Sequence, residues 1–212
     1  MNFTWKHFGP NAIILEWPAI IDQKTIEEIQ RLFRHLSKHT SKGITDIIPA
    51  YASLTVMYQP SKLRDIDIID LIKSPDAVQQ IKHSRTMEIP VRYHDSTHKD
   101  MFLFASFTGL DINEIIEIHS VPVYDVCFIG FLPGFPYLTG LDKKLHIPRK
   151  SVPNLRIPKG SVSIGGSQTG IYPQESPGGW YVIGQTAFEL IDFSSPPYCS
   201  IQSGDKIRFI PV

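Results

Sequence analysis

The chain contains only two cysteines, Cys127 and Cys199, and their spacing fits no metal site. We interpret them as buried free thiols of a cytoplasmic protein. No apolar run reaches the roughly 20 residues that a membrane-spanning helix needs. The apolar stretch 12–21 is broken by Glu16 and Pro18, and no small-residue cleavage site follows it. We therefore expect no signal peptide and a cytoplasmic location.

A charge bias and the common catalytic motifs are also absent. The 21 basic and 21 acidic residues give a formal net charge of zero, so no overall field favours nucleic acid or a membrane surface. There is no Gly-x4-Gly-Lys-Ser/Thr phosphate loop, Gly-x-Gly-x-x-Gly, His-Glu-x-x-His or Cys-x-x-Cys. A Gly-x-Ser-x-Gly nucleophile elbow at 165–169 fails because Thr169 replaces the second glycine. An enzymatic role would therefore need a further polypeptide.

Two histidines, His94 and His98, are four residues apart. On a helix this spacing could hold a metal, but here the histidines follow a predicted strand. We interpret them as solvated loop residues, and we expect no metal site.

Glycine, proline and aromatic residues are concentrated between residues 127 and 185, in one block at 127–140 and another at 161–180. Glycine permits positive φ, whereas proline fixes φ and removes a donor, so neither block fits a helix or a regular central strand. The many large apolar residues exclude a flexible linker. We predict tight loops held on a β scaffold, and we expect function to lie there.

Residues 1–85 predict a small α+β sandwich in the order strand, helix, strand, strand, helix. The first helix begins after Asp22 as its N-cap and runs to about Lys38. The predicted strands are 13–17, 44–50 and 53–58.

The second helix of this region is predicted to begin at Ser61 and to restart or kink at Pro75. Its apolar face is formed by Ile66, Ile69, Ile72, Val78 and Ile81. Residues 83–87 are polar and show no pattern, and we place the domain boundary there, after residue 85.

Residues 86–212 predict two helices within a β-rich domain. A strand at 88–93 contains Pro90, which indicates an edge strand or the start of a strand. One helix near 99–107 ends at Gly109, and the next begins with a capping box of Asp111 and Glu114. From residue 121 onward, strand-like segments alternate with turn residues, which is typical of a barrel or sandwich. The candidate strands are 121–131, 161–164, 180–183, 187–192 and 206–209.

The segment 142–160 is strongly basic and contains only one acid, Asp142. The cations are Lys143, Lys144, Arg149, Lys150, Arg156 and Lys159. Interleaved prolines hold the backbone extended, and a carboxylate or phosphate would suit these side chains. A solvated basic loop is the alternative.

Residues 163–170 can point successive backbone N–H groups into an anion-binding nest, although the same glycines also suit a tight hairpin. Neutral polar side chains on these loops suit a ligand with an amide or carboxylate: Gln168, Tyr172, Gln174 and Ser176. Aromatic side chains indicate a pocket or partner surface, or else pin the loops to the core: Phe131, Phe135, Tyr137, Tyr172 and Trp180. His119 closes a helix, and a structural role is the default there.

A long series of motifs runs through the second half of the chain. It comprises Phe131-Leu-Pro-Gly-Phe-Pro-Tyr-Leu-Thr-Gly-Leu141, Pro148-Arg149, Gly166-Ser-Gln-Thr-Gly-Ile-Tyr-Pro173 and Ser176-Pro-Gly-Gly-Trp180. Ile118-His119 and residues 204–211 extend the match. In this order the motifs resemble the KipI / allophanate hydrolase subunit 1 family, whose members are the B subunits of 5-oxoprolinase.

The resemblance implies an α+β fold, with the small α+β domain followed by a cyclophilin-like β-barrel similar to carboxyltransferase subdomains C and D. It implies a hetero-oligomer with two partners, the 5-oxoprolinase C subunit, which is a paralogous carboxyltransferase-like chain, together with the A subunit. The assembly opens 5-oxo-L-proline to L-glutamate. ATP and Mg would be used by the complex, with no cofactor bound by this chain alone. The segment 93–100 departs from many relatives, which have a Gly/Glu-rich turn there.

The family supplies no nucleophile that can be carried over, so the catalytic residues stay open. The matching positions that it implies as substrate-pocket or subunit-contact residues are His119, Arg149, Gly166, Gln168, Tyr172 and Trp180.

Three functions use this scaffold, and fold alone does not separate them. The first is a non-autonomous 5-oxoprolinase subunit, in which Gln168, Tyr172 and the 165–170 amides position the lactam and stabilise charge. The second is an inhibitor of sensor histidine kinase autophosphorylation that docks through the aromatic loops. The third is a carboxyltransferase component of the allophanate hydrolase or urea carboxylase type.

Overall fold

The computed structural model describes residues 3–74, 85–96 and 98–212, which form two compact units, Met1–His83 and Ser84–Val212. The predicted α+β class with a β-barrel is confirmed. The predicted boundary segment 83–87 lies partly outside the described residues. The predicted helix restart at Pro75, with Val78 and Ile81, lies wholly outside them.

The first unit contains an antiparallel sheet with strand order β1-β2-β4-β3. Its elements are β1 (Thr4–His7), β2 (Ala12–Glu16), α1 (Gln23–Ser37), β3 (Ile44–Pro49), β4 (Ser53–Tyr58) and α2 (Asp65–Lys73). The apolar sides of both helices and one face of the sheet form a single core. The predicted order of elements is present, and β1 is an additional strand whose exposed residues gave no apolar pattern.

Local hydrogen bonds determine where the two helices begin. The Asp22 carboxylate accepts the backbone N–H of Thr25 at 3.0 Å, so α1 begins as predicted. By contrast, α2 begins at Asp65 and not after Ser61. As a result the buried face of α2 is Ile68, Ile69 and Ile72. The predicted face was wrong at Ile66, which is exposed.

The second unit is a closed barrel with strand order β10-β7-β6-β13-β5-β12-β9, in which β9 pairs with β10. The barrel strands are β5 (Thr86–Tyr93), β6 (Tyr124–Ile129), β7 (Pro136–Thr139), β9 (Ser161–Gly165), β10 (Gln168–Ile171), β12 (Tyr181–Gln185) and β13 (Lys206–Pro211). The helices are α3 (Lys99–Thr108) and α4 (Ile112–Ser120). A separate two-stranded sheet contains β8 (Asn154–Ile157) and β11 (Ser176–Gly178). The first strand, β5, pairs in parallel with the last, β13.

The structure confirms the predicted helix signals of this unit. Gly109 ends α3 with φ of +72°, and the capping box of Asp111 and Glu114 begins α4. Pro90 lies in the part of β5 that has no partner on β12, because β12 pairs with β5 only at Arg92 and Tyr93. Among the described residues, no helix is long and apolar enough to cross a lipid bilayer.

Two predictions about the β region were wrong. Besides the predicted β9, the turn-rich blocks contain two regular barrel strands that were not predicted, β7 and β10. Residues 187–192 do not form a strand and make only an isolated bridge between Ile191 and Cys199. Each barrel strand already has a neighbour on both sides, so the closed barrel leaves no strand unpaired along a whole edge for this segment to join.

Candidate functional site

An aromatic cavity of about 240 Å³ lies between the barrel wall and the β8–β11 sheet. Backbone of the β11 segment forms part of its lining. Five aromatic rings and one cation form the rest: Phe131, Phe135, Tyr137, Tyr172, Trp180 and Arg149. These are the aromatic residues that the sequence indicated, so both turn-rich blocks contribute to one site. We call it the aromatic cavity.

The rings of the cavity wall pack edge to face. The centroid of Phe135 lies 5.1 Å from that of Tyr172 and 5.5 Å from that of Trp180, with interplanar angles of 84° and 81°. This arrangement places the positive edge of one ring against the negative face of another. With Ile157 and Val182, these rings form a small apolar cluster separate from the barrel core. Both interpretations of these aromatic residues therefore apply, since they hold the loops in place and also line a pocket.

Glycines on the outer barrel face make room for two of these rings. A Cβ at Gly165 would lie 2.5 Å from the Trp180 ring, and one at Gly170 would lie 3.0 Å from the Phe135 ring. Real Cβ atoms essentially never show a contact as close as the one at Gly165. A Cβ at Gly170 would be tight against the Phe135 ring and would also lie 2.8 Å from Pro136 O. The glycines thus let Trp180 and Phe135 lie directly on the sheet.

Phe131 stands at the rim of the cavity in a strained backbone conformation. Its φ is +67°, a left-handed value that costs a residue with a side chain about 1–2 kcal/mol. The side chain is 60% exposed and points edge-on at Phe135, 5.7 Å between centroids. Strain of this kind is typical of functional segments, where the surrounding structure holds it in place.

Arg149 is held over Trp180 by its neighbour in the chain. The guanidinium carbon lies 5.8 Å from the Trp180 ring centroid. The backbone N–H of Lys150 donates to Gly179 O at 2.8 Å, which fixes this segment beside Trp180. The Lys150 ammonium forms a buried ion pair with Asp100 at 2.5 Å. The sequence did not predict this pair, because residues from separate elements form it.

The phenol of Tyr172 is neutral in the folded protein. Burial, with a smaller contribution from Tyr137, raises the pKa of Tyr172 to about 12. Burial likewise raises the pKa of Tyr137. Of the described residues that line the cavity, Arg149 is the only Lys, Arg, His, Asp or Glu. The site is thus suited to a small, partly apolar molecule with one carboxylate and uncharged polar groups.

Gln168 lies close to the cavity but does not line it. Its side chain is only 4% exposed, and Nε2 is buried without a hydrogen-bond partner among the described residues. Ser163, which sequence analysis missed, is 0% exposed and its Oγ is likewise unpaired. A buried polar group without a partner costs about 1–3 kcal/mol, so each of these atoms calls for an explanation.

His119 lies inside the barrel, apart from the cavity. Its Nε2 is 2.9 Å from Thr169 Oγ1 and its Nδ1 is 2.7 Å from the Tyr93 hydroxyl. Thr169 donates its hydroxyl proton to Ser163 O, so it accepts from His119 Nε2–H, and Nδ1 accepts from Tyr93. Complete burial lowers the pKa of His119 to about 3 and keeps the imidazole neutral. This geometry gives His119 a structural role.

The basic segment 142–160 does not converge on one anion site. Lys150 pairs with Asp100, Arg156 with Glu175 and Lys159 with Glu189. Lys143 and Lys144 lie outside the cavity lining, so Arg149 is the one cation of the segment at the cavity. The predicted nest at 163–170 is the β9–β10 hairpin. Its Gly166 has φ of +67°, and the Gly166 N–H donates to Ile147 O at 2.7 Å. Gly166 therefore serves the turn and lies outside the cavity lining.

Of the other polar loop residues, Gln174 is exposed, and the Ser176 hydroxyl donates to Pro177 O.

His94 and His98 are partly buried and stack in parallel, with ring centroids 3.8 Å apart, so they differ from the predicted solvated residues. The described residues contain no group of three or more His, Cys, Asp or Glu side chains that could hold a metal ion.

Comparison with known proteins gives a consistent result. The family model of the carboxyltransferase domain, subdomain C and D, matches residues 3–201. The 5-oxoprolinase B subunit of Escherichia coli O157:H7 is 35% identical over 207 residues, which cover 96% of this chain and 93% of that protein. The 5-oxoprolinase B subunit of Bacillus subtilis strain 168 is 31% identical over 226 residues, which cover 100% of this chain and 94% of that protein.

Solved structures also resemble the chain. TTHA0988 has a TM-score of 0.86 at 31% identity, covering 96% of this chain and 40% of that one. This chain therefore spans less than half of TTHA0988. The urea carboxylase of Kluyveromyces lactis has a TM-score of 0.74 at 19% identity, covering 99% of this chain and 22% of that one. At that identity the likeness shows the fold alone.

Proposed function

The chain belongs to the family of carboxyltransferase subdomains C and D, and on this basis we propose that it is the B subunit of an ATP-dependent 5-oxoprolinase. The proposed reaction opens 5-oxo-L-proline to L-glutamate, with the A and C subunits as partners. The main support is the match to two curated 5-oxoprolinase B subunits over nearly the whole length of both proteins in each alignment.

The chemistry of the aromatic cavity agrees with this substrate. 5-Oxoproline is a small ring with one carboxylate and one uncharged lactam amide. Arg149 offers a guanidinium to the carboxylate, and the faces of Trp180 and Phe135 offer apolar surface to the ring. The neutral hydroxyl of Tyr172 can donate to, or accept from, the amide without burying a second charge.

Lactam opening needs activation, because resonance stabilises the C–N bond. In the proposed reaction, phosphate transfer from ATP to the lactam oxygen makes the ring carbon more electrophilic. Water then adds at that carbon and the C–N bond breaks, which leaves an acyl phosphate of glutamate. A second water releases the phosphate, so ATP, two waters and lactam give ADP, phosphate and glutamate. We assign ATP and Mg to the partner chains, since this sequence contains no phosphate loop. This chain then contributes substrate positioning and neutral hydrogen bonds.

Reconstitution tests the proposal. The isolated chain is expected to hydrolyse neither ATP nor 5-oxo-L-proline, whereas the three-chain mixture is expected to couple the two. Arg149→Met in the complex should raise the KM for 5-oxo-L-proline at least tenfold, because the carboxylate loses its partner. Arg156→Met is the matched control, since Arg156 is exposed and lies outside the cavity lining. Full activity of the isolated chain, or equal KM values for both variants, would contradict the proposal.

The alternative roles make different predictions in the same strain. A histidine kinase inhibitor would be recovered in stoichiometric complex with a sensor kinase, and its deletion would leave growth on 5-oxoproline as nitrogen source intact. A carboxyltransferase component would be recovered with a biotin carrier. The proposed 5-oxoprolinase component is instead expected to be recovered with the A and C subunits, and its deletion is expected to abolish growth on 5-oxoproline.

A further inference from the structure

The two unpaired buried groups near the cavity, Ser163 Oγ and Gln168 Nε2, occupy one face of the β9–β10 hairpin. In the strand register, Ser163 lies opposite Gly170, and Gln168 lies opposite Gly165. Directly opposed residues share a face, as do residues two apart in a strand. The four positions therefore form a small square, with the polar residues at one pair of diagonal corners and the glycines at the other.

This face points away from the barrel interior. The intervening residue Thr169 points inward, because its hydroxyl contacts His119 inside the barrel. The side chains at 163 and 168 thus project toward the outer cluster. There the Trp180 ring lies on Gly165 and the Phe135 ring lies on Gly170. The rings that form the cavity wall therefore lie on the same small patch of sheet as the two unpaired polar groups.

Unpaired polar groups at 163 and 168 are unfavourable if this patch of sheet serves only as a stable wall of the cavity. Apolar residues at 163 and 168 would give the same packing without unpaired polar atoms. The neighbouring loop already carries the left-handed Phe131 at the cavity rim. A strained loop next to unsatisfied donors is the arrangement expected where a ligand completes the hydrogen bonds.

We propose that Ser163 Oγ–H and Gln168 Nε2–H form a two-donor subsite for the carbonyl or carboxylate oxygen of the ligand of the aromatic cavity. The subsite opens when the Phe135 and Trp180 side chains shift off the sheet. The identity of the ligand as a cyclic amide rests on the proposed function. The existence of the subsite rests on the geometry of β9 and β10.

Stability and binding should respond in opposite directions. In the full-length chain, Ser163→Ala and Gln168→Met each remove an unpaired group, so their melting temperatures should equal or exceed that of the unaltered protein. The same variants should weaken binding of acetamide to the chain, followed by NMR, about tenfold. In the reconstituted complex they should raise the KM for 5-oxo-L-proline by a similar factor, because the donors are lost.

Thr169→Val is the matched control. It lies on the same strand but faces the barrel interior, and its hydroxyl is fully paired. It should lower the melting temperature and leave acetamide binding unchanged. The inference is overturned if Ser163→Ala and Gln168→Met lower stability as Thr169→Val does, or if both bind acetamide like the unaltered chain.

The two proposals can fail separately. Loss of acetamide binding in the variants, with no lactam opening by the complex, would retain the subsite and contradict the proposed function. Lactam opening with unchanged KM and unchanged acetamide binding in both variants would retain the function and contradict the subsite.

Discussion

At the scale of single residues, His119 illustrates how a barrel interior accommodates a titratable side chain. Both ring nitrogens are hydrogen-bonded, one as donor and one as acceptor, which fixes the Nε2–H tautomer. A proton on Nδ1 would remove the acceptor to which the Tyr93 hydroxyl donates and would bury a charge. The low pKa of about 3 therefore has a clear cause in desolvation, and it gives the protein a pH-dependent stability.

The first prediction concerns this pH dependence. The folded pKa of His119 is below the unfolded value, so the unfolded state binds the extra proton between about pH 6.5 and pH 3. The unfolding free energy should therefore fall as the pH drops through this window. From pH 7 to pH 5 the His119 contribution should amount to about 2 kcal/mol.

Urea unfolding of the unaltered chain and of His119→Gln at both pH values measures this contribution. The glutamine of this variant would keep a donor toward Thr169 but cannot titrate. Between the two pH values, the unfolding free energy of the variant should therefore fall by about 2 kcal/mol less than that of the unaltered chain. An equal fall in unfolding free energy in the two proteins would contradict a neutral buried His119.

Sequence could identify some site residues but not others. Tyr172 and Trp180 stood out because they are large aromatic residues in a turn-rich block, and Arg149 stood out because it lies in the basic segment 142–160. Ser163 gave no such signal. Every residue of β9 and β10 is buried, so hydrophobic alternation could not tell the outer face from the inner one. For the same reason, sequence could not distinguish Gln168, on the outer face, from Thr169.

At the scale of elements, the two turn-rich blocks show why glycine density is an ambiguous signal. Glycine serves a turn at Gly166, where φ is positive, but at Gly165 it makes room for a ring inside a regular strand. Sequence alone suggests the first use for both, and likewise for Gly170 in β10, which is why β10 was not predicted. Helix ends were predicted better, because capping depends on residues a few positions apart, as at Asp22 and Asp111.

The second prediction separates these two uses of glycine. Gly165→Ala would place a Cβ 2.5 Å from Trp180, so the ring must move, at a cost of about 1–3 kcal/mol. Gly166→Ala meets nothing within 4 Å and should cost only the left-handed strain, about 1–2 kcal/mol.

Trp180 fluorescence discriminates between the variants, with Trp5 and Trp17 replaced by Phe. The emission of Trp180 should change in Gly165→Ala and stay the same in Gly166→Ala, although both are destabilised. The same emission spectrum in both variants would mean that Trp180 does not lie on Gly165.

At the scale of the whole molecule, each compact unit has its own apolar core. The core of the second unit is built around the barrel, with α3 and α4 packed on it, and the aromatic cluster adds a smaller core outside the barrel wall. A unit with a complete core is expected to fold by itself. The barrel is closed by its last strand, since β13 lies between β5 and β6.

The third prediction follows from this closure. A fragment of residues 84–212 should unfold cooperatively in urea, and its Trp180 emission should match that of the full chain. A fragment of residues 84–205 lacks β13 and with it the buried side chains of Ile207 and Phe209. It also exposes two strand edges, on β5 and β6, where backbone groups lose their partners.

The shorter fragment should therefore lose near-ultraviolet circular dichroism and cooperative unfolding, although it lacks only the last seven residues. Cooperative unfolding of both fragments would show that the barrel does not depend on β13. Failure of both would show that the second unit needs the first to fold. Since β9 and β10 carry the proposed subsite on the outside of this barrel, an intact cavity in the 84–212 fragment would also allow acetamide binding to be measured on the barrel unit alone.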